Sequence, residues 1–202
     1  MKKFLFLLLL MASTLTAGAQ FRYAPILGYN NTDLNFNQKL ITVKSVSAFR
    51  AGVTGELMFP GLGFGLDIGA IYSLDGAKVN LGEKEVWASS GYGNERLFLH
   101  NLEIPVNLKF KWTRMQGLED YIAPYVYGGP TFSFLLAHNN VKAFDYNVLT
   151  VGLQAGIGFE IFKVWQIQGE YNWGISTQVR TIKLDDFAAK NRRWSISLLR
   201  RF

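Results

Sequence analysis

The chain has 202 residues, the usual length of one domain, and no cysteine, which excludes disulfide frameworks, thiolate metal sites and thiol nucleophiles. Its formal net charge of +6 is not concentrated in a run of Lys and Arg, so the composition gives no support for nucleic-acid binding. Beyond residue 19 no apolar run reaches the length of a membrane-spanning helix, so residence in a membrane would require strands.

The first 19 residues have the features of a secretory signal peptide. Two lysines precede the apolar run 4–11, and the small residues 17–19 follow where a signal peptidase would cut. The apolar part is too short to be a membrane anchor. We therefore predict a signal peptide over residues 1–19, cleavage near Ala19, and a single exported domain over residues 20–202.

Eight segments of this domain have apolar residues at alternate positions, the pattern of a strand with one face toward an apolar environment. In chain order they are residues 21–30, 47–59, 62–74, 100–112, 121–134, 148–162, 164–174 and 193–202. In the clearest, 148–162, Leu153 and Ile157 share one face while Gln154 and Glu160 share the other. The first, fifth and eighth segments are the least regular, and the fifth contains two prolines, so the pattern does not fix their register.

The connections between these segments alternate in length. Those after the second, fourth and sixth segments are short, whereas the other four are long, at about 31–46, 75–99, 135–147 and 175–192. Tight turns at one rim and long loops at the other are typical of an outer-membrane barrel with both termini in the periplasm.

The bulky apolar face of each segment is predicted to point outward. These faces together offer roughly forty residues, whereas the interior of an eight-stranded barrel is only wide enough for side chains to fill. The face rich in Gly, Gln, Asn and Glu fits inside. An outward apolar belt of this size is incompatible with water but suited to lipid, where a closed barrel also satisfies every strand amide. The sequence therefore predicts an all-β, eight-stranded antiparallel up-and-down transmembrane β-barrel.

Aromatic residues fall near both ends of the predicted strands. Beside the short turns lie Phe59, Trp112, Tyr121, Trp165 and Phe202, and beside the long loops lie Tyr72, Trp173 and Trp194. Because indole and phenol rings prefer the headgroup level, we predict that these residues form two girdles at the membrane interfaces.

Residues 102–110 read LEIPVNLKF, and residues 123–125 and 128–130 add APY and GGP. With the terminal Phe202, these motifs resemble the outer-membrane β-barrel domain family, which includes porin-family and PorT-like small barrels. The resemblance implies a Gram-negative outer membrane, insertion by the outer-membrane assembly machinery and, by analogy alone, a link with secretion. Arg200 departs from the family pattern, which more often has Tyr there. We expect its side chain to reach the headgroups.

The inward faces of the predicted strands carry charges of both signs. They are Arg50, Glu56, Asp67, Glu103, Lys109, Lys111, Glu160, Glu170 and Arg193. Isolated charges would be costly in a narrow lumen, but opposite charges with Gln and Asn between them can pair. We predict a self-neutralising network that fills the lumen. A proton or ion relay or a narrow channel is the alternative, while a general porin needs many more strands.

An enzymatic role has little support in the sequence. Small barrels that modify outer-membrane lipid would need a histidine with a serine and a carboxylate. Neither His100 nor His138 has a serine two positions later, and two histidines do not make a metal site. We predict no enzyme, no metal and no cofactor, with an outer-membrane lipid-modifying enzyme as the alternative.

The long loop between the third and fourth segments is the candidate surface-binding loop, on account of Trp87, Tyr92 and Arg96. We predict a monomeric structural or surface-interaction protein of the cell outer membrane. Its predicted partners are outer-membrane lipid and the assembly machinery during insertion, with a surface or secretion-complex protein as a further partner.

Overall fold

The fold is that of a computed structural model, which describes residues 20–36, 42–59, 61, 63–80, 94–139, 141, 144–181 and 188–202. The ten strands within these ranges are β1 (Gln20–Phe36), β2 (Thr42–Met58), β3 (Phe64–Asn80), β4 (Asn94–Lys111), β5 (Ile122–His138), β6 (Phe144–Tyr146), β7 (Leu149–Ile161), β8 (Trp165–Gly174), β9 (Val179–Thr181) and β10 (Ala188–Arg200). One 3-10 turn, Leu118–Asp120, precedes β5. None of the described ranges contains a helix long and apolar enough to cross a membrane. The predicted signal peptide lies outside them.

Eight long strands form one closed antiparallel barrel. Their order around it is β1-β2-β3-β4-β5-β7-β8-β10, and β10 pairs back onto β1 from Ile26↔Leu199 to Phe36↔Ala189. Each long strand therefore lies beside the long strands that precede and follow it in the chain. The predicted eight-stranded up-and-down barrel is confirmed.

The strands expose their apolar face and bury their polar face. On β7, Leu153 and Ile157 are 47% and 63% exposed, whereas Gln154 and Glu160 are 2% and 4% exposed. Large apolar side chains on the other long strands are exposed in the same way, among them Leu108 and Ile167. Since the closed ladder already pairs the strand amides, this outward face can enter hydrocarbon without unsatisfied backbone groups.

We call the end of the barrel with the tight turns the inner rim and the opposite end the outer rim. At the inner rim, β7 and β8 are joined by Phe162, Lys163 and Val164. Phe162 and Lys163 have positive φ (51° and 58°), as the two central residues of a type I′ turn do, and the Val164 N–H donates to the Ile161 carbonyl at 3.1 Å. The Lys163 ammonium lies 2.5 Å from Asp120 of the neighbouring turn. In outer-membrane barrels the rim with short turns faces the periplasm.

The predicted loop boundaries are wrong at the outer rim, where the strands continue well beyond the apolar belt. β1 ends at Phe36, β2 begins at Thr42, and β3 and β4 remain paired as far as Asn80 and Asn94. Alternation persists there, but the polar and apolar faces exchange. On β3 the outward Lys78 is exposed while inward residues become apolar. Strand ends predicted from outward apolar residues therefore fall short of the true ends at the outer rim.

Two short strands, β6 and β9, were not predicted. They pair with each other and, through β9, with the start of β10, so they extend the barrel wall beyond the ends of β7 and β8. Inside this outer part lies the outer apolar cluster, which consists of Leu34, Ala77, Val79, Leu97, Leu99, Val141, Phe144, Val179 and Ala189. Beyond the outward apolar belt, the barrel is thus filled by an apolar core.

Candidate functional site

The lumen contains two groups of paired charges. The inner ionic network lies toward the inner rim and consists of Glu56, Asp67, Lys109, Lys111, Glu160 and Arg201. Glu56 is its centre: its carboxylate lies 2.6 Å from the Lys109 ammonium, 3.1 Å from that of Lys111 and 2.6 Å from the Arg201 guanidinium. Glu160 pairs with Lys111 at 2.7 Å and also with Arg201. Three cations therefore balance three carboxylates.

The outer ionic network lies between the inner one and the outer apolar cluster. Its members are Arg50, Asp75, Glu103, Glu170 and Arg193. The Arg193 guanidinium donates to the Glu103 carboxylate at 2.8 Å and lies 3.3 Å from Asp75. Arg50 pairs with Glu170 and lies 3.6 Å from Glu103. Because β10 and β4 lie on opposite sides of the barrel, these contacts cross the lumen.

Side chains also occupy the space between the two networks. The Tyr125 hydroxyl donates to Gln168 at 3.1 Å, and that of Tyr127 donates to Glu170 at 2.7 Å. The Lys109 ammonium lies 4.2 Å above the Tyr125 ring. A cavity of ≈ 20 Å³ remains here beside Gln154, enough for about one water molecule. The described side chains therefore fill the middle of the lumen.

Two glycines of β7 make room for these tyrosines. A Cβ on Gly158 would meet the Tyr125 hydroxyl, and one on Gly156 would meet that of Tyr127. We expect Gly158→Ala to lower the free energy of unfolding by about 1–3 kcal/mol, because the buried ring has to shift. Urea unfolding of the folded barrel measures this, with Gly169→Ala as the control, since a Cβ there meets only one atom, at 4.0 Å. Equal stability of the two variants would contradict the close packing of Tyr125.

The inner rim opens into a vestibule of ≈ 540 Å³. Its lining includes Arg22, Lys111, Lys163, Glu160 and Arg201, so it ends at the inner ionic network. The vestibule is therefore a blind pocket at one end of the barrel.

All nine charged residues predicted for the lumen lie on inward faces and belong to one of the two networks. Sequence reasoning missed two members, Asp75 and Arg201. Asp75 has the inward parity of Ile71 and Ser73, and Arg201 has that of Arg193. Asp75 lies one residue beyond the predicted segment 62–74, whereas Arg201 lies within the predicted segment 193–202 and was overlooked there.

The predicted interface aromatics lie near the two rims. Phe202 stacks on Tyr23 with ring centres 5.5 Å apart at the inner rim, and Trp194 lies 5.7 Å from Tyr29 toward the outer rim. The side chains of Trp112, Tyr121, Trp165, Trp173, Trp194 and Phe202 are exposed, and those of Phe59 and Tyr72 are half-buried. Arg200 points outward, with its guanidinium 4.9 Å from the Phe202 ring centre.

The two histidines do not form a catalytic arrangement with the described residues. The Nδ1 atom of His100 is 2.5 Å from the Tyr72 hydroxyl, and His138 stacks on Tyr146 at 4.0 Å. Neither ring hydrogen-bonds a serine or a carboxylate in the described ranges, which also contain no group of three metal-ligating side chains.

Of the three residues predicted for the surface-binding loop, Trp87 and Tyr92 lie outside the described residues. Arg96 is described and belongs to β4 instead of a loop, because pairing of β3 with β4 continues to Asn94. Its side chain is exposed.

Two titratable groups outside the membrane-spanning parts of the strands have shifted pKa values. Backbone hydrogen bonds from its own amide, Met115 and Gly117 lower the pKa of Glu119 in the turn before β5. Burial raises the pKa of the Tyr146 phenol in β6 to about 12. Neither group contacts the ionic networks among the described residues.

The model of the family described as "Outer membrane protein beta-barrel domain" matches residues 12–178. The comparison with curated proteins gave no match.

Three solved structures are similar to this barrel in fold. OprG from Pseudomonas aeruginosa has a TM-score of 0.52 and 12% identity, with 92% of this chain and 97% of that chain covered. Neisserial surface protein A has a TM-score of 0.51 and 10% identity over 92% and 99%. A major outer membrane protein from Thermus thermophilus has a TM-score of 0.52 and 12% identity over 91% and 100%. At these identities the likeness concerns the fold alone.

Proposed function

The chain belongs to the outer membrane protein beta-barrel domain family, and from this premise we propose that it is a non-conducting structural or surface-interaction protein of the outer membrane. The observation that carries the proposal is the filling of the lumen. Two ionic networks join strands across the barrel, and the outer apolar cluster lies above them. A solute would have to break several buried ion pairs and then cross an apolar core.

Conductance measurement tests the filled lumen directly. Folded protein reconstituted into planar bilayers should give no steady single-channel current, because eight strands leave no water-filled bore once side chains occupy the interior. Heat-modifiable mobility in gels verifies folding of the same sample, and detergent alone serves as the blank. A large steady conductance from folded protein would contradict the proposal and favour a narrow channel.

The surface-interaction part of the proposal is supported by the length of β1 to β4. These strands extend beyond the outward apolar belt at the outer rim and carry exposed polar side chains there. Crosslinking in intact outer membranes followed by purification distinguishes the two roles. A defined protein partner would indicate a surface scaffold, whereas recovery as a monomer with lipid alone would indicate a structural role. Capture without any secretion component would contradict the link with secretion that the PorT-like resemblance implied.

A further inference from the structure

Three basic residues form a row across neighbouring strands near the outer rim. Lys44 of β2 is paired with Lys78 of β3, and Lys78 is paired in turn with Arg96 of β4. All three side chains are exposed. Like charges directly opposite one another on the same face of a sheet destabilise it. We call these three residues the basic row.

No acidic side chain offsets this repulsion among the described residues. None of the three cations has an ion pair there. Glu95 adjoins Arg96 in the chain, but successive side chains of a strand point to opposite faces. At the same rim, by contrast, Arg180 of β9 lies opposite an acidic residue, Asp145, in the register of β9 with β6. The basic row therefore presents concentrated positive charge outward.

The height of the basic row corresponds to the headgroup level. On β3 the outward apolar residues run from Phe64 to Leu74, which at about 3.3 Å per residue and a tilt of about 45° spans roughly 23 Å. This is close to the apolar band of about 25 Å in outer-membrane barrels. Lys78 lies four residues farther along β3, or about 9 Å beyond the end of the band.

We propose that the basic row is a docking site for the phosphate groups of a phosphorylated glycolipid in the outer leaflet. A phosphate bound between neighbouring cations would replace their mutual repulsion by attraction to the phosphate. It would lie beside the barrel wall at the headgroup level, where the phosphates of lipids occur. Lys and Arg near an anionic lipid surface each contribute to binding, and Arg96 adds a planar set of donors suited to phosphate. This inference rests on the placement in an outer membrane and does not depend on whether the lumen conducts.

The test titrates folded protein in neutral detergent with diphosphorylated lipid A, with its phosphate-free analogue and with inorganic phosphate. We expect wild type to bind diphosphorylated lipid A, and Lys78→Ser with Arg96→Ser to weaken that binding on the order of tenfold or more. The phosphate-free analogue should bind weakly to both proteins, and inorganic phosphate should not compete. Binding should fall as salt rises.

Arg180→Ser with Lys190→Ser is the matched control, because it removes one arginine and one lysine from another part of the same rim. Its affinity should equal that of wild type. If both double variants bound diphosphorylated lipid A equally weakly, the attraction would come from the overall positive charge of the rim, and the proposed docking site would be wrong. Competition by inorganic phosphate would show that the basic row binds free phosphate instead of a glycolipid.

A measurement without lipid separates binding from a structural role. If the basic row is a docking site, Lys78→Ser with Arg96→Ser should unfold at the same temperature as wild type or higher, since the substitution relieves repulsion between opposed cations. A clear loss of thermal stability in detergent alone would mean that these residues hold the barrel together, and would contradict the proposal.

Discussion

Replacing Arg193 by methionine should lower the free energy of unfolding by about 3–5 kcal/mol, the cost of removing one partner from a buried ion pair. Arg193 is 2% exposed and pairs with both Glu103 and Asp75. After the substitution Glu103 still has Arg50 nearby, but among the described residues Asp75 keeps only neutral donors such as Asn101. Urea unfolding in lipid vesicles, followed by tryptophan fluorescence, measures the loss.

The control for this variant is Lys190→Met on the same strand. Lys190 is exposed, and exposed substitutions of this kind usually change stability by no more than about 0.5 kcal/mol. Each variant removes one positive charge. The difference between their free energies of unfolding therefore reports the burial and the ion pairs of Arg193. If Arg193→Met cost less than about 1 kcal/mol, the outer ionic network would not be the closely paired arrangement described here.

The second large effect is expected on the outward face. Ile157 lies near the middle of β7 and is 63% exposed. Ile157→Arg should cost about 2–4 kcal/mol in a bilayer, because a charged side chain near the midplane has to leave water. The same vesicle unfolding assay measures it.

Leu136 of β5 provides the matched position for this test. It is 60% exposed on the outward face, almost the same fraction as Ile157, but it lies close to the outer rim. Leu136→Arg should therefore cost only about 0–1 kcal/mol. If the two variants lost the same free energy of unfolding, depth in a membrane would not determine the loss. The outward face would then not be a lipid-contacting surface.

The barrel itself follows from the sequence because the alternation is strong wherever one face meets lipid. β7 and β8 were predicted to within one residue at each end. The outer ends of β1 to β4 and of β10 were not, because beyond the outward apolar belt the outward residues become polar and the inward ones apolar. Lys78 and Val79 illustrate the exchange on β3. The short strands β6 and β9 are three residues each, too brief to show any period.

The alternation of side chains along each strand was enough to place the charged residues in the lumen. It could not show which of them form ion pairs with each other. Arg50 pairs with Glu170, 120 positions away, and which strands face each other across a barrel depends on the stagger between strands. Asp75 was missed because it lies one residue past the end of its predicted strand, whereas Arg201 lies on the predicted inward face of the last strand and alternation alone would have found it. Local alternation contains no information on stagger, so the two networks required the three-dimensional structure.

Closure of the barrel along β1 and β10 has a consequence for biogenesis. The carboxylates of the outer ionic network reside on β3, β4 and β8, and one of their two guanidinium partners, that of Arg193, arrives with the last strand. Without β10 in place, Asp75 and Glu103 lack this counter-ion. Because Arg193 contacts Asp75 and Glu103 across the lumen, closure of the seam between β1 and β10 is coupled to neutralisation of these two carboxylates, and a barrel left open at that seam is disfavoured.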